Sequence, residues 1–288
     1  MNAINWYPGH MAKTRRQLSE QLKNVDLVVE LCDARLPFSS RNPDLGKMLE
    51  GKKRLLLMNK ADLADPAVTR RWLNYFRVRG ENAGLCTAPQ MKRGEAAQAL
   101  ENAVKDKIDK AAERGMRKTV RVMVAGVPNV GKSTYINRLH GGSIAATGDR
   151  PGVTRSSQWV KIGPYLELLD TPGLLWPRLD DQHAATRLCY IGTVKDDILD
   201  LQELTMQLLD DLAEARPESL AERYHLKDVQ LRGEALMDAV CRGRGFLLKG
   251  GVADYDRCAS VVLDEFRGGK LGRISLEVPP GERNGGKG

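Results

Sequence analysis

The chain has 288 residues, of which 42% are hydrophobic, 28% charged and 5% aromatic; this globular balance excludes fibrous, collagen-like and wholly disordered classes. At roughly 100–200 residues per domain, the length predicts about two domains, each able to bury its own core. A net charge of +8, from 45 Lys and Arg against 37 Asp and Glu, suits a polyanionic partner without naming one.

No apolar run reaches the roughly 18 residues of a membrane-spanning helix. The start, Met1-Asn2-Ala3-Ile4-Asn5-Trp6, carries no basic-then-apolar leader, so a soluble protein in the cytoplasm is expected, with no membrane partner. Cys32, Cys86, Cys189, Cys241 and Cys258 are odd in number and scattered; they read as reduced thiols that neither pair nor bind zinc.

In chain order, strands are predicted at residues 25–31, 54–58, 84–87 and 120–125, with helices at 66–79 and 94–114 between them. This alternation predicts an α/β domain with a mostly parallel sheet and helices on both faces. Two further strands, 158–162 and 165–169, flank Gly163-Pro164 and read as an antiparallel hairpin, because that dipeptide punctuates a turn. Beyond residue 197 the strand signals fade. Apolar residues recur at three- and four-residue spacing in 198–215, 231–242 and 255–266, which predicts a small all-α domain. The expected organisation is a first domain over 1–177, a linker over 178–197, a helical domain over 198–277 and a disordered tail over 278–288.

Gly126-Val127-Pro128-Asn129-Val130-Gly131-Lys132-Ser133 fits the Gly-x-x-x-x-Gly-Lys-Ser/Thr phosphate loop and stands between a predicted strand and a predicted helix, as the mechanism requires. The glycines let backbone N–H groups close around phosphates, Lys132 reaches the β and γ phosphates, and the Ser133 hydroxyl can ligate magnesium. Asp170-Thr171-Pro172-Gly173 ends the hairpin, where Asp170 can hold magnesium through water and Gly173 lets the backbone approach the γ-phosphate. Between them, Thr154 can add a second hydroxyl to the metal; taken alone it is equally a plain loop residue.

Asn59-Lys60-Ala61-Asp62 follows the strand at 54–58, and it selects the base. The Asp62 carboxylate accepts from guanine N1–H and the exocyclic amine, whereas adenine would leave that charge unpaired. Asn59 contacts the base and braces the phosphate loop, while the Lys60 stem packs on the purine. Cys86-Thr87-Ala88 stands where guanine-binding proteins carry Ser-Ala-Lys, so the Ala88 N–H can meet guanine O6, although Pro89 cannot replace Lys; an ordinary strand-end turn is the other reading. These motifs predict GTP binding by Asn59, Lys60, Asp62, Thr87, Ala88, Asn129, Val130, Gly131, Lys132, Ser133, Thr134, Thr154, Asp170 and Gly173.

The base-reading motifs precede the phosphate loop, the reverse of the usual GTPase order, so the domain is read as circularly permuted. Together with Trp6-Tyr7-Pro8-Gly9-His10-Met11, Asp33-Ala34-Arg35, Arg41-Asn42-Pro43 and Leu175-Trp176-Pro177, this order resembles the circularly permuted ribosome biogenesis GTPase A (RbgA/YlqF) family over nearly the whole chain. The resemblance implies a P-loop GTPase that acts late in assembly of the large (50S) ribosomal subunit, with a helical C-terminal part that contacts ribosomal RNA. Leu174 occupies the position where many GTPases place a water-orienting Gln. His10 is the candidate substitute, on imidazole chemistry and on the resemblance; otherwise 6–11 is an RNA-facing or structural turn. By resemblance to potassium-activated GTPases, Asn129 helps hold a monovalent cation; it is equally a turn-favouring Asn.

Basic residues mark the first helix (Lys13, Arg15, Arg16, Lys23), residues 105–121, and the C-terminal part (Arg242, Arg244, Lys249, Arg257, Arg267, Lys270, Arg273), always mixed with acids. No aromatic stacking motif is evident, so RNA contact is expected to rest on phosphate and shape. The protein is expected to be a monomer away from the ribosome, with no DNA partner. Two alternatives remain at this level: a nucleotide-gated RNA-binding protein whose hydrolysis is not essential, and a GTPase acting on another RNA such as tRNA.

Overall fold

The structure, a computed structural model, describes residues 19–41, 46, 48–143, 158–163, 165–170 and 182–282. Among the described residues six strands form one sheet in the order β3-β2-β1-β4-β6-β5: β1 Leu27–Asp33, β2 Lys53–Asn59, β3 Ala83–Leu85, β4 Val120–Ala125, β5 Gln158–Gly163 and β6 Leu166–Asp170. All neighbours are parallel except β5 and β6.

β1 is buried at every position, as a strand paired on both sides and covered on both faces must be. It starts two residues later than expected, because the Val25 N–H closes a turn on the Leu22 carbonyl at 3.1 Å. Glu30 and Asp33 are the polar exceptions in this run, and Glu30 is met by two arginines. Arg41 and Arg54 meet its carboxylate at 3.0 and 2.6 Å; burial alone would raise its pKa, yet these guanidinium groups hold it below the ordinary value.

Helix α1, Pro66–Val78, opens on Asp65, whose side chain accepts from the Ala67 and Val68 N–H groups at 2.8 and 3.1 Å. The single helix expected at 94–114 is two, α2 Arg93–Ala103 and α3 Lys105–Ala112, separated by Val104 at φ −124°. Val104 and Leu100 are both wholly buried: packing this β-branched residue inward outweighs the helix propensity of the Ala-rich sequence around it. Helix α4, Lys132–His140, follows β4 and stops at Gly141 with φ 86°.

The remaining helices are α5 Gln182–Tyr190, α6 Leu201–Ala215, α7 Pro217–Tyr224, α8 Gly233–Arg244 and α9 Tyr255–Arg267. Leu204, Leu208, Leu209, Leu212 and Ala213 form the buried stripe of α6, against which α8 and α9 pack. α8 crosses α7 so closely that a Cβ at Gly243 would overlap the Tyr224 carbonyl oxygen. The stretch expected to be a linker instead contains α5, with Ala184, Ala185, Leu188, Cys189 and Tyr190 buried against this body. The tail is ordered as far as Glu282, which meets Arg71 at 2.9 Å; residues 283–288 lie outside the described residues. Among the described residues no helix is long and apolar enough to cross a membrane.

Sheet and helices are joined by buried polar contacts. Arg35, 1% exposed, forks onto the Asp33 carboxylate at 2.8 and 2.9 Å. It also donates to the Phe266 carbonyl at the end of α9 at 2.7 Å and lies 4.7 Å over the Phe266 ring. Past α9 the chain returns to the sheet: Leu276 N–H donates to the Arg35 carbonyl at 3.0 Å, Trp72 Nε1 to the Glu277 carbonyl at 2.9 Å, and the Glu277 carboxylate accepts from the Phe38 N–H at 2.8 Å.

Candidate nucleotide site

The loop between β4 and α4 is shaped by backbone geometry that few residues allow. Asn129 and Gly131 take φ 63° and 96°, and a Cβ at Gly126 would run into the Leu31 carbonyl oxygen. The left-handed residues turn N–H groups of the loop towards one concavity, and α4 adds the N–H groups of its first turn, where Ser133 and Thr134 sit. Lys132 is 7% exposed, and its ammonium donates to the Gly126 and Val127 carbonyls at 3.1 and 2.9 Å.

Asn59, the last residue of β2, binds three distant segments together. Its Nδ2 donates to the Val130 carbonyl at 2.7 Å and its Oδ1 accepts from the Ala88 N–H at 3.0 Å. It stands so near Gly131 that a Cβ there would strike it. Lys60, at φ 57°, donates to the Asn129 carbonyl at 2.8 Å and approaches Asp33 at 3.4 Å. Burial works against the Asp33 charge, but Arg35 and Lys60 outweigh it and hold the carboxyl well below its usual range.

Asp62 is exposed at the side of a cavity of ≈ 600 Å³, which Leu85, Cys86, Thr87, Gln90 and Arg273 also line. Burial, with the nearby Asp62 charge, pushes the Cys86 thiol up to about 11, so it stays neutral. Asp170 closes β6 opposite Val124 in the ladder, which sets it beside the strand that feeds the phosphate loop. Thus Asn59 and Lys60 reach Val130 and Asn129, 71 and 69 positions away, while Asn59 also holds the Ala88 turn. His10, Thr154, Gly173 and Leu174 lie outside the described residues.

Several contacts have no counterpart in the sequence reading. Asn129 Nδ2 donates to the Gly192 carbonyl at 2.5 Å, which ties the phosphate loop to the helical body. Arg267, expected to face RNA, instead grips the Tyr190 carbonyl at 3.0 Å and Asp196 at 2.7 Å; Arg242 pairs with Asp238 at 2.6 Å. Half-exposed Trp159 and Tyr165 lie beneath Arg121 and Arg117, each at 5.6 Å. The 117–121 and 159–165 segments are too far apart in sequence to read as one motif, and β-pairing brings them together.

The family described as 50S ribosome-binding GTPase matches residues 121–230. The match opens at the phosphate-loop strand and leaves Asn59 to Asp62 ahead of it. Ribosome biogenesis GTPase A of Bacillus cereus is 48% identical over 279 residues, 96% of this chain and 94% of that protein. The GDP-bound TM YlqF structure is similar with a TM-score of 0.69 at 28% identity, covering 92% of this chain and 99% of that one. GNP-bound YlqF from T. maritima gives 0.66 at 27%, covering 93% and 99%.

Proposed function

Because the chain belongs to the ribosome biogenesis GTPase A family and is a GTP-hydrolysing factor of ribosome biogenesis on a circularly permuted α/β fold, we propose that it works on the large ribosomal subunit in the cytoplasm and contacts ribosomal RNA in a nucleotide-dependent way. The observation that carries the site reading is the Asn59 carboxamide, which fixes the phosphate loop and the Ala88 turn in one register at 2.7 and 3.0 Å. A base held by Asp62 and Ala88 is thereby set at a fixed distance from phosphates held by the loop.

In this reading GTP and water become GDP and phosphate. Lys132 exchanges the Gly126 and Val127 carbonyls for β- and γ-phosphate oxygens, and the loop N–H groups receive the charge that builds up in the transition state. Ser133 in the first turn of α4 and Asp170 beside β4 are oxygen donors of the type magnesium takes, with Thr154 as the switch hydroxyl. When bound, magnesium neutralises charge on the β–γ bridge. His10 orients the attacking water, a task Leu174 cannot perform. Asn129 would help to hold potassium, which would supply positive charge beside the phosphates. The sheet domain hydrolyses GTP; the helical body, which begins with α5, meets the RNA together with the Trp159–Tyr165 edge.

The test is the GTP hydrolysis rate of the purified protein in potassium buffer, with and without isolated large subunits, repeated in sodium. Strong stimulation by the subunit, weakened in sodium, is expected. Normal GTP binding with no stimulation would overturn the large-subunit partner, and equal rates in the two salts would overturn the potassium role.

A further inference from the structure

The cavity beside Asp62 has one wall that no nucleotide motif supplies. After α9 the chain crosses back onto the loop that follows β2, where the Ile274 N–H donates to the Leu63 carbonyl at 2.9 Å. The Asp65 N–H donates to Ser275 Oγ at 3.2 Å. Gly269, with φ 73°, takes the place where a Cβ would overlap the Leu63 side chain. Arg273 stands in the middle of this strap. Its Nε donates to the Ala64 carbonyl at 3.1 Å and its terminal nitrogen to the Ala61 carbonyl at 3.2 Å. Those two carbonyls flank Asp62 and Leu63 in the chain, so one guanidinium pins both ends of the peptide that carries Asp62. Arg273 is itself exposed, and it lines the same cavity as Asp62 and Thr87.

We propose that Arg273 is a base-positioning residue of the nucleotide site: it holds the Ala61–Ala64 turn so that Asp62 faces the guanine edge, and its planar guanidinium forms a wall on which the purine packs. The proposal rests on the reading that Asp62 recognises guanine. Arginine fits this place and lysine does not. A rigid planar fork can serve two carbonyls at once and stack on an aromatic face, whereas an ammonium is a compact point donor. Guanine recognition by this chain then depends on its C-terminal strap as well as on its nucleotide motifs.

The experiment is equilibrium binding of fluorescent GDP and IDP analogues to the full chain, with thermal melting alongside. IDP lacks the exocyclic amine that Asp62 accepts from. Arg273→Ala is expected to weaken GDP about tenfold, close to the loss of one charge-assisted hydrogen bond. It is also expected to weaken IDP less, so the GDP-over-IDP preference shrinks. Arg273→Lys should lie between, and it decides the matter if Arg273→Ala does not fold. A merely structural arginine would lower the melting temperature and weaken both nucleotides alike; an unchanged GDP-to-IDP ratio in either folded variant overturns the proposal. Asp62→Asn separates this from the underlying reading: it should exchange guanine preference for xanthine, and if it does not, the base site itself is misplaced.

Discussion

The phosphate loop and the seam between sheet and helices both rest on buried cations, and they use them in opposite ways. Lys132 holds two neutral carbonyls of its own loop, partners that a phosphate oxygen can displace with a gain in charge pairing. Arg35 holds a carboxylate, a helix-end carbonyl and an aromatic face, all fully enclosed. Nothing from solvent can replace that set, and removing one member strands a charge. The first arrangement is exchangeable and suits a ligand site; the second is permanent and suits a joint.

The sharpest way to break this contrast is Arg35→Met, which keeps bulk but leaves Asp33 without its fork. The expected loss is about 3–5 kcal/mol in urea unfolding, typical for one partner removed from a buried pair. A loss below about 1 kcal/mol would mean that Lys60 alone suffices. Lys132→Ala should do the reverse, lowering hydrolysis by roughly 10²–10³-fold, as for loss of one transition-state donor, while the melting temperature stays near that of the parent. A matching fall in stability would show that the lysine is part of the fold. The smallest effect expected is in the acid limb of stability. Asp33 is held below its ordinary 3.8, so the stability it contributes is present above that pH and is lost as pH falls towards the folded value. The gap in melting temperature between the parent and Asp33→Asn should therefore narrow below pH 3.8, and a gap that does not change with pH would contradict the ion-pair account.

The same contrast explains what was readable in the sequence. The phosphate loop was legible because its motif is contiguous and its backbone places glycine or a left-handed Asn at fixed offsets, and Asn59 to Asp62 because four contiguous residues stand at the end of a strand. The strands were legible as apolar runs with turn residues at their ends. α7 was missed although Pro217 and Glu218 stand in its first turn as start signals; the short gap after α6 hid it. α5 was missed because it is only nine residues long and follows a Pro-interrupted stretch. The seam had no local signature at all: Arg35 meets Phe266 across 231 positions, and Phe38 meets Glu277 across 239. Only the folded chain brings such partners together, and the Asp-x-Arg spacing of Asp33 and Arg35 revealed nothing of the third partner.

The strap on the base-reading turn also has a meaning in time. Ala61 lies 212 positions ahead of the arginine that pins it, and β1 must wait for β4 before its second edge is paired. During synthesis the turn that carries Asp62 therefore leaves the ribosome early and its support leaves late. A nascent chain thus gains a fully braced turn only after Arg273 has been made, when the helical body is also in place.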